Sequence, residues 1–358
     1  MDPVRTIQEI ILKAHEQMPA NLWDHVRGGA ESETTLCRNR QALDSLAFRP
    51  RVLRDVSAVD PSSTFLGQAL RIPVLLAPIG QMDQFADEAA WCSMRAASEF
   101  GVFNCLSSIN FLTLEDAAVL DSKRLLFQLY LQGGATWLDE YLDRVAQAKP
   151  AAFCLTVDTA LYSRRERDMI NRFAPPGRGQ GERDGFENQA HMSWELVAKL
   201  RDRLDIPIIL KGIATAADAK RAVDHGVDVV YVSNHGGRQL DHGRGSLDAL
   251  TEVVDAVAGQ ADVLVDGGIV RGSDILKALA LGARAVGLGK LQVWALAAAG
   301  QEGLTRMLEI LEEELRVCMG LCGITRLDQV DPSYIEAVQP ANTPTAFSQF
   351  PSLVGRLG

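Results

Sequence analysis

The feature that most constrains the fold of this chain is an alternation of short apolar runs with amphipathic stretches. Each apolar run ends in a polar residue or a glycine, which is typical of a buried strand. The eight runs are residues 74–80, 102–108, 125–130, 152–158, 207–212, 227–234, 263–268 and 285–290. The stretches with helical spacing between them include 88–100, 137–148, 194–204, 216–225, 247–258 and 273–281. Eight such units predict an α/β fold, a closed parallel (β/α)8 TIM barrel, because an open doubly wound sheet usually has fewer strands.

Two segments flank the predicted barrel. Residues 6–43 show helical spacing of apolar residues, with breaks at Pro19 and Gly28. Residues 49–72 are mixed and rich in turns, which suits a short strand or an extended cover. We therefore predict a single domain over 1–358, made of an N-terminal helical cover (1–72), the barrel (73–300) and a C-terminal helix with a tail (301–358).

Charge and cysteine content argue against several classes of protein. The formal net charge of -10 disfavours a nucleic-acid partner, because a phosphate backbone is bound by basic surfaces. Six cysteines without CxxC spacing predict reduced thiols and no metal centre. No signal peptide is recognisable, and no apolar run approaches the roughly 20 residues of a membrane span. We expect a cytoplasmic protein that binds neither nucleic acid nor membrane.

Residues 233–241 give the clearest indication of chemistry, since they begin where an apolar strand ends. His235 can accept a proton near neutral pH without a large shift of its pKa. Gly236 and Gly237 allow a tight turn or a close approach to a flat ligand, and Arg238 offers a planar guanidinium suited to a carboxylate. Taken alone, the stretch could equally be a glycine-rich turn with a capped loop.

Other polar and glycine residues stand at the predicted strand ends. A barrel brings all eight carboxyl ends around one mouth, where the active sites of this architecture lie. Singly, such residues often cap helices or hold loops, but together they indicate a site. They are Pro78, Ile79, Gly80, Ser107, Gln128, Tyr130, Thr156, Asp158, Lys211, Ser233, Asp266, Gly267, Gly268, Gly289 and Lys290.

The glycines after the last two strands predict a phosphate site. Segments 266–268 and 287–289 occupy the usual phosphate position of a barrel, where backbone N–H groups and a helix N-terminus favour an anion. Gln128 and Thr156 could bind a polar heterocycle, and Lys211 could stabilise negative charge on a reduced ring. The implied ligand is a phosphorylated ring cofactor, with two ordinary glycine turns as the alternative.

Several motifs, spread over nearly the whole chain, belong together. They are Gly28-Gly29-Ala30, Glu33-x-Thr35-Leu36-x-x-Asn39-Arg40, Phe127-Gln128-Leu129-Tyr130, Leu155-Thr156-Val157-Asp158-Thr159, Arg164-Arg165-Glu166, Asn171-Arg172-Phe173, Leu210-Lys211-Gly212, residues 233–241 and Asp266-Gly267-Gly268. With these motifs the chain resembles the FMN-dependent 2-hydroxy-acid oxidases and dehydrogenases, the group of glycolate oxidase, lactate oxidase and mandelate dehydrogenase. Residues 233–241 are the most specific motif of that family.

The resemblance implies that a 2-hydroxy acid is oxidised to the 2-oxo acid, with FMN as cofactor and oxygen or another acceptor reoxidising it. It implies His235 as the base and Asp158 as the carboxylate that stabilises its protonated form. Tyr130 would bind the substrate near its hydroxyl or carboxylate group, and Lys211 would act beside the flavin. Because related enzymes are often tetramers, a homo-oligomer is expected by analogy.

The resemblance also implies which residues bind the ligands. Arg165, Arg238, Tyr130 and His25 would bind the substrate. The flavin would be held by Pro78, Ile79, Gly80, Ser107, Gln128, Thr156, Lys211 and Ser233, and the phosphate region by Asp266, Gly267, Gly268, Arg271, Gly289 and Lys290.

Some positions depart from the family pattern. His25 stands where a tyrosine usually contacts the substrate carboxylate, so carboxylate binding is expected to differ. Ile109 replaces a position that is often aromatic, and Gly80 has no side chain over the flavin, which favours a larger or aromatic substrate. In the phosphate motif, Val270 and Lys290 replace arginines, so weaker FMN binding is expected.

Two other functions stay open. An FMN barrel with redox-neutral chemistry, such as an isomerase, is disfavoured by the presence of His235, Arg238 and Arg165. A noncatalytic descendant that serves as a binding module is supported by the departures in the phosphate motif and at His25. The long connection 158–193 is expected to cover the active site, with a mobile part at 177–185.

Overall fold

The computed structural model describes residues 4–174, 186–354 and 356–357. The segment before the barrel contains α1 (Ile7–Gln17), α2 (Ala20–Arg27), α3 (Thr34–Asp44), β1 (Leu46–Phe48), β2 (Ser63–Phe65) and β3 (Gln68–Leu70). The predicted helical breaks are confirmed, since Pro19 is the N-cap of α2 and Gly28 is its C-cap. Strands β2 and β3 form an antiparallel hairpin in the region predicted as a short strand or cover.

Eight strands then close into a parallel barrel, which confirms the predicted fold. They are β4 (Val74–Leu76), β5 (Phe103–Ser107), β6 (Leu125–Leu129), β7 (Ala152–Thr156), β8 (Ile208–Ile213), β9 (Val229–Val232), β10 (Asp262–Val265) and β11 (Ala285–Leu288). Each strand pairs in parallel with the next along the chain, and β11 pairs with β4. Because helices cover the outside and side chains fill the inside, the strands are apolar on both faces.

Helices surround the barrel. They are α4 (Ala89–Phe100), α5 (Leu114–Asp121), α6 (Ala135–Ala148), α7 (Glu166–Ile170), α8 (Trp194–Arg203), α9 (Ala216–Asp224), α10 (Ser246–Val257), α11 (Gly272–Ala280) and α12 (Lys290–Leu321). The six predicted helices are all present, close to their expected ends. Helices α5 and α7 were not predicted separately, because only Leu114 and Ala117 of α5 and only Asp168 of α7 are buried, too few for a recognisable apolar stripe.

The β2–β3 hairpin closes the amino-terminal end of the barrel. Phe65 and Leu70 belong to the same buried cluster as inward-facing residues of the barrel strands, such as Leu75 and Phe103. The rings of Phe65 and Phe103 meet edge to face with 5.5 Å between centroids. The interior is therefore filled from this end, and the open end is the one at which the strands terminate.

The C-terminal part returns to the N-terminal cover. The backbone of α12 leaves the helical conformation at Ala299 and Gly300, and strand β12 (Ile335–Ala337) pairs antiparallel with β1. Short 3₁₀ turns lie at Met82–Gln84, Phe186–His191, Leu327–Gln329 and Pro332–Tyr334. Among the described helices, none has the combination of length and apolar character needed to cross a bilayer. The stretch 177–185, predicted to be mobile, lies outside the described residues.

Candidate active site

Residues 233–241 follow β9 directly and pack against the start of α3. His235, Gly236 and Gly237 have positive φ angles of 59°, 66° and 75°. A left-handed conformation costs an L-residue about 1–2 kcal/mol and costs glycine almost nothing, which explains the two glycines. A Cβ atom on Gly237 would also lie 2.5 Å from the backbone nitrogen of Leu36. The glycines thus allow this loop to pack closely on α3 while it holds His235 at the barrel mouth.

His235 lies between two residues from neighbouring strand ends. Its Nδ1 atom is 3.1 Å from Asp158 Oδ1, and its Nε2 atom is 3.4 Å from the hydroxyl oxygen of Tyr130. Asp158 follows β7 and Tyr130 follows β6. A carboxylate accepts hydrogen bonds only, so Nδ1 carries the ring proton when His235 is neutral. The Nε2 atom is then the one able to accept a proton from a ligand beside Tyr130.

The charges around His235 keep its ring neutral near neutral pH. Burial lowers the pKa of His235, with a further lowering by Lys211, while Asp158 opposes both effects. Burial would raise the pKa of Asp158, but His235 and Lys211 hold it below its ordinary value. The pair is therefore a neutral imidazole beside an ionised carboxylate, the arrangement required of a general base.

Lys211 is a buried cation held by a hydrogen-bond network. Its Nζ atom donates to Ser233 Oγ at 2.9 Å and lies 3.5 Å from Asp266 Oδ2. Ser233 Oγ in turn donates to Asp266 Oδ1 at 2.7 Å. Burial acts to lower the pKa of Lys211, but Asp266 and Asp158 outweigh it and raise the pKa above its ordinary value. Because the only hydroxyl proton of Ser233 goes to Asp266, Ser233 supports Lys211 and is not a free donor.

Three buried side chains at the ends of β5, β6 and β7 have polar atoms without hydrogen-bond partners among the described residues. The atoms are Ser107 Oγ, Thr156 Oγ1 and both Gln128 Oε1 and Nε2. All three side chains are 1% exposed or less. Buried polar atoms in native proteins are nearly always hydrogen-bonded, so these atoms indicate the position of a polar ligand. Together they offer both donors and acceptors, which fits the edge of a heterocycle.

A cavity of about 1130 Å³ opens at the strand ends. This volume exceeds the roughly 300–1,000 Å³ usual for one small ligand, so the cavity has room for a cofactor and a substrate at the same time. Most predicted site residues line it: His25, Pro78, Ile79, Gly80, Tyr130, Arg165, Lys211, His235, Arg238, Asp266, Gly267, Gly268, Gly289 and Lys290. The structure thus brings to one cavity residues that are up to 265 positions apart (290 minus 25).

Gly80 lies close against the side chain of Ile109. A Cβ atom on Gly80 would lie 2.3 Å from Ile109 Cδ1 and 2.6 Å from Ile109 Cγ1. Both residues line the cavity. The two departures noted in the sequence are therefore one feature, because the isoleucine side chain occupies the space that a larger residue at Gly80 would need.

The cations of Arg165, Arg238 and Lys290 lie in the wall of the cavity. Arg238 donates through Nη1 to the carbonyl oxygens of His25 and, at 3.0 Å, Gly28. Lys290 Nζ donates to the carbonyl oxygens of Val26 and Gly28 at 2.9 and 2.8 Å. These carbonyl groups form the negative end of the α2 dipole.

Burial and the crowding of like charges lower the pKa of Arg238 and that of Lys290. Burial, followed by the charge of Arg165, lowers the pKa of Arg238 to about 9. Burial and the charges of Arg238 and Arg165 also lower the pKa of Lys290 well below its ordinary value. An anion such as a carboxylate or a phosphate would relieve this repulsion, so the cluster is suited to bind one.

The structure does not bring Arg271 to the cavity, which corrects its assignment to the cofactor. Its Nη1 atom donates to Glu314 Oε1 at 2.7 Å, and Nη2 donates to the carbonyl oxygen of Gln349 at 3.0 Å. The guanidinium also lies over the ring of Phe350. Arg271 therefore fastens α11 to α12 and the C-terminal segment, and Lys290 is the cation that remains beside the glycines of the predicted phosphate site.

Sequence reasoning missed Asp168. This residue of α7 is buried, and its Oδ2 atom lies 2.9 Å from His25 Nδ1. The two residues are 143 positions apart, and Asp168 stands between the half-buried Arg167 and the exposed Met169 in the long connection that follows β7. The sequence therefore carried no signal for this pair beyond the unusual His25 itself.

The chain is similar to known proteins over most of its length. A family model described as FMN-dependent dehydrogenase matches residues 14–337. The chain is 38% identical over 352 residues to an L-lactate oxidase of Nostoc sp. (strain PCC 7120 / SAG 25.82 / UTEX 2576), and the alignment covers 91% of this chain and 96% of the relative. It is 39% identical over 350 residues to a peroxisomal (S)-2-hydroxy-acid oxidase of Oryza sativa subsp. japonica. That alignment covers 93% of this chain and 95% of the relative.

Solved structures agree with this similarity. A crystal structure of mandelate oxidase with (S)-4-hydroxymandelic acid matches with a TM-score of 0.87 at 35% sequence identity. The match covers 94% of this chain and 99% of that chain. The similarity therefore includes the barrel, its cover and the C-terminal segment.

Proposed function

The chain belongs to the FMN-dependent dehydrogenase family, and we propose that it oxidises a 2-hydroxy acid to the 2-oxo acid with His235 as the base. The proposal is carried by the position of the His235 ring. Asp158 holds Nδ1 at 3.1 Å, while Nε2 lies beside Tyr130 in a cavity that Arg165 and Arg238 also line. A general base needs this combination of a neutral ring, a fixed tautomer and access to the ligand.

The residues at the strand ends fit FMN. The unpartnered atoms of Ser107, Gln128 and Thr156, at the ends of β5, β6 and β7, suit the polar edge of the isoalloxazine ring. Pro78, Ile79 and Gly80 line the cavity. Lys211 would stabilise negative charge on the ring, and Lys290 with Gly267, Gly268 and Gly289 would hold the phosphate. FMN, when bound there, accepts the two electrons that leave the substrate.

The other side chains of the cavity bind and orient the substrate in this proposal. Arg165 and Arg238 bind its carboxylate, and the hydroxyl group of Tyr130 hydrogen-bonds the substrate near its own hydroxyl. His235 Nε2 takes a proton from the substrate, and Asp158 stabilises the imidazolium that forms, as a carboxylate does for a catalytic histidine elsewhere.

We further propose a substrate with an aromatic or otherwise bulky side chain. The cavity volume of about 1130 Å³ supports this. Oxygen or another acceptor would reoxidise the flavin. A homo-oligomer, a tetramer by analogy, and a cytoplasmic location are also proposed, and the six cysteines, none in a disulfide, agree with a reducing compartment.

Anaerobic mixing of the purified flavoprotein with a panel of 2-hydroxy acids tests the proposal. At least one of them, expected among the aromatic acids, should bleach the visible flavin absorbance. The variant His235→Ala should keep the flavin and be bleached roughly 10²–10⁴-fold more slowly, the range typical of a lost general base. A bound flavin that no hydroxy acid reduces would favour redox-neutral chemistry, and a protein that takes up no FMN would favour a noncatalytic role.

A further inference from the structure

A second imidazole–carboxylate pair lies in the wall of the cavity. His25 of α2 and Asp168 of α7 are both buried, and His25 Nδ1 lies 2.9 Å from Asp168 Oδ2. The ring of Phe173 packs against that of His25 with 4.9 Å between centroids. Since an ionised carboxylate only accepts hydrogen bonds, Nδ1 carries the proton of a neutral His25. The Nε2 atom therefore presents a lone pair.

This lone pair lies beside the arginine proposed to bind the substrate carboxylate. Arg238 Nη2 is 3.4 Å from His25 Nε2, which is longer than a typical hydrogen bond. Arg238 Nη1 is engaged with the carbonyl oxygens of His25 and Gly28, so Nη2 is the better placed of the two for a ligand. A carboxylate oxygen bound to Nη2 would come close to the Nε2 lone pair. The carboxylate oxygen and the unprotonated His25 Nε2 are both hydrogen-bond acceptors, so they repel each other unless Nε2 gains a proton.

The charges around His25 decide when it gains that proton. The pKa of His25 is lowered to about 4, mainly by burial and also by the charges of Arg238 and Arg165, while Asp168 acts to raise it. On its own helix, Asp24 and Arg27 pair with each other at 3.0 Å. Lys290 is a further cation nearby, bound to the carbonyl oxygens of α2.

These charges determine how carboxylate binding depends on pH. The ring is neutral in the free protein above about pH 4. A bound carboxylate adds a negative charge that offsets the two arginines, so the pKa of His25 rises in the complex. Between the two pKa values the complex binds one more proton than the free protein, and carboxylate binding weakens as the pH rises through that interval.

We propose that binding of the substrate carboxylate is coupled to the uptake of one proton at His25 Nε2, with Asp168 as the residue that positions the ring. An N–H bond forms at Nε2, the proton comes from solvent, and no electrons are transferred. The inference rests on the proposed function, because it takes Arg238 as the carboxylate-binding residue. A tyrosine, which the family usually has at this position, does not titrate near neutral pH, so the coupling belongs to the histidine of this chain.

The experiment is titration calorimetry of the FMN-loaded protein with phenylacetate, which lacks the hydroxyl group and cannot be oxidised. Measurement at several pH values, in buffers of low and high ionisation enthalpy, gives the number of protons taken up. On binding phenylacetate, the wild type should take up more protons than His25→Tyr, by at most one proton per ligand. As the pH rises, the Kd of the wild type for phenylacetate should increase more steeply than that of His25→Tyr. The difference should be at most about tenfold per pH unit, the limit for one proton.

Two further variants separate this coupling from a structural effect. Asp168→Asn keeps an acceptor for Nδ1 but removes the charge that favours protonation, so it should reduce the proton uptake at the same pH. Asp24→Asn removes a carboxylate of the same helix that does not face the ring, and its proton uptake should equal that of the wild type.

Equal proton uptake in the wild type and His25→Tyr would overturn the inference, as would a wild-type protein that binds no phenylacetate. Protonation of His235 on ligand binding would appear in both proteins and cancel in the comparison. The proposed function fails on a different observation, the absence of flavin bleaching by hydroxy acids, so the two failures are distinguishable.

Discussion

The Asp158–His235 pair is the smallest unit on which the proposed reaction depends. Two neighbouring charges act on His235 in opposite directions, since Lys211 lowers its pKa and Asp158 raises it. Burial lowers the pKa as well and is the largest effect. The base form is therefore present at neutral pH, and it is lost only when the pH falls through a value below the ordinary 6.5 of histidine.

Replacing Asp158 by asparagine should change both the rate and its pH dependence. Without the carboxylate the pKa of His235 falls further, so the acid limb of kcat/KM should move to lower pH. The imidazolium formed during the reaction also loses its partner, so kcat should fall by roughly 10²–10⁴-fold, the range that positioned proton transfer contributes. Steady-state rates between pH 4 and 8 measure both effects. An acid limb that stays in place, or moves to higher pH, would contradict this account of the pair.

At the scale of the elements, the loop after β9 is held by the N-terminal cover. Asp241 accepts hydrogen bonds from Ser32 Oγ at 2.6 Å and from the backbone N–H of Thr35 at 2.8 Å. The carbonyl oxygen of Gly237 accepts a hydrogen bond from the N–H of Ala30 at 2.8 Å. The cover thus helps to determine where the loop places His235.

Alanine substitutions at the adjacent Gly236 and Gly237 test how much the close packing of this loop on α3 contributes to stability. Gly236→Ala should destabilise the protein by about 1–2 kcal/mol, the cost of a left-handed alanine. Apart from its chain neighbours, none of the described residues has an atom within 4 Å of the new Cβ. Gly237→Ala should cost clearly more, because its Cβ would lie 2.5 Å from a backbone nitrogen of α3 that has to move. Equilibrium unfolding in urea measures the two free energies. Equal losses would show that close packing on α3 is unimportant.

At the scale of the whole molecule, the ends of the chain meet over the barrel. The rings of Trp23, Trp294 and Phe347 lie within 5.6–6.0 Å of one another between centroids. They come from α2, α12 and the C-terminal segment, and all three belong to the main buried cluster. This contact supports the proposed single-domain organisation, in which cover, barrel and C-terminal segment are one unit.

A single unit predicts a single unfolding transition. Urea unfolding followed by tryptophan fluorescence and by far-ultraviolet circular dichroism should give coincident curves. Because FMN would bind only the folded chain, free FMN at a hundred times its Kd should add about 2.7 kcal/mol to the free energy of unfolding. An earlier transition of the cover, seen in fluorescence alone, would contradict the single unit.

The sequence by itself determined the barrel and the face on which the site lies. Strand and helix periods are local, so eight alternating units could be recognised without knowing any contact, and parallel closure then forces all strand ends to one mouth. For this reason Asp158, Lys211 and His235 could be grouped before the structure was known.

Only the tertiary structure decided the directions of side chains at that mouth. The sequence placed Arg271 at the phosphate site, but its guanidinium donates to Glu314 and to the carbonyl oxygen of Gln349 instead. It could not predict that His25 would meet Asp168 across 143 residues. A local period specifies which face of an element is buried, whereas the partner of a charged side chain depends on elements that are distant in the chain and adjacent only after folding.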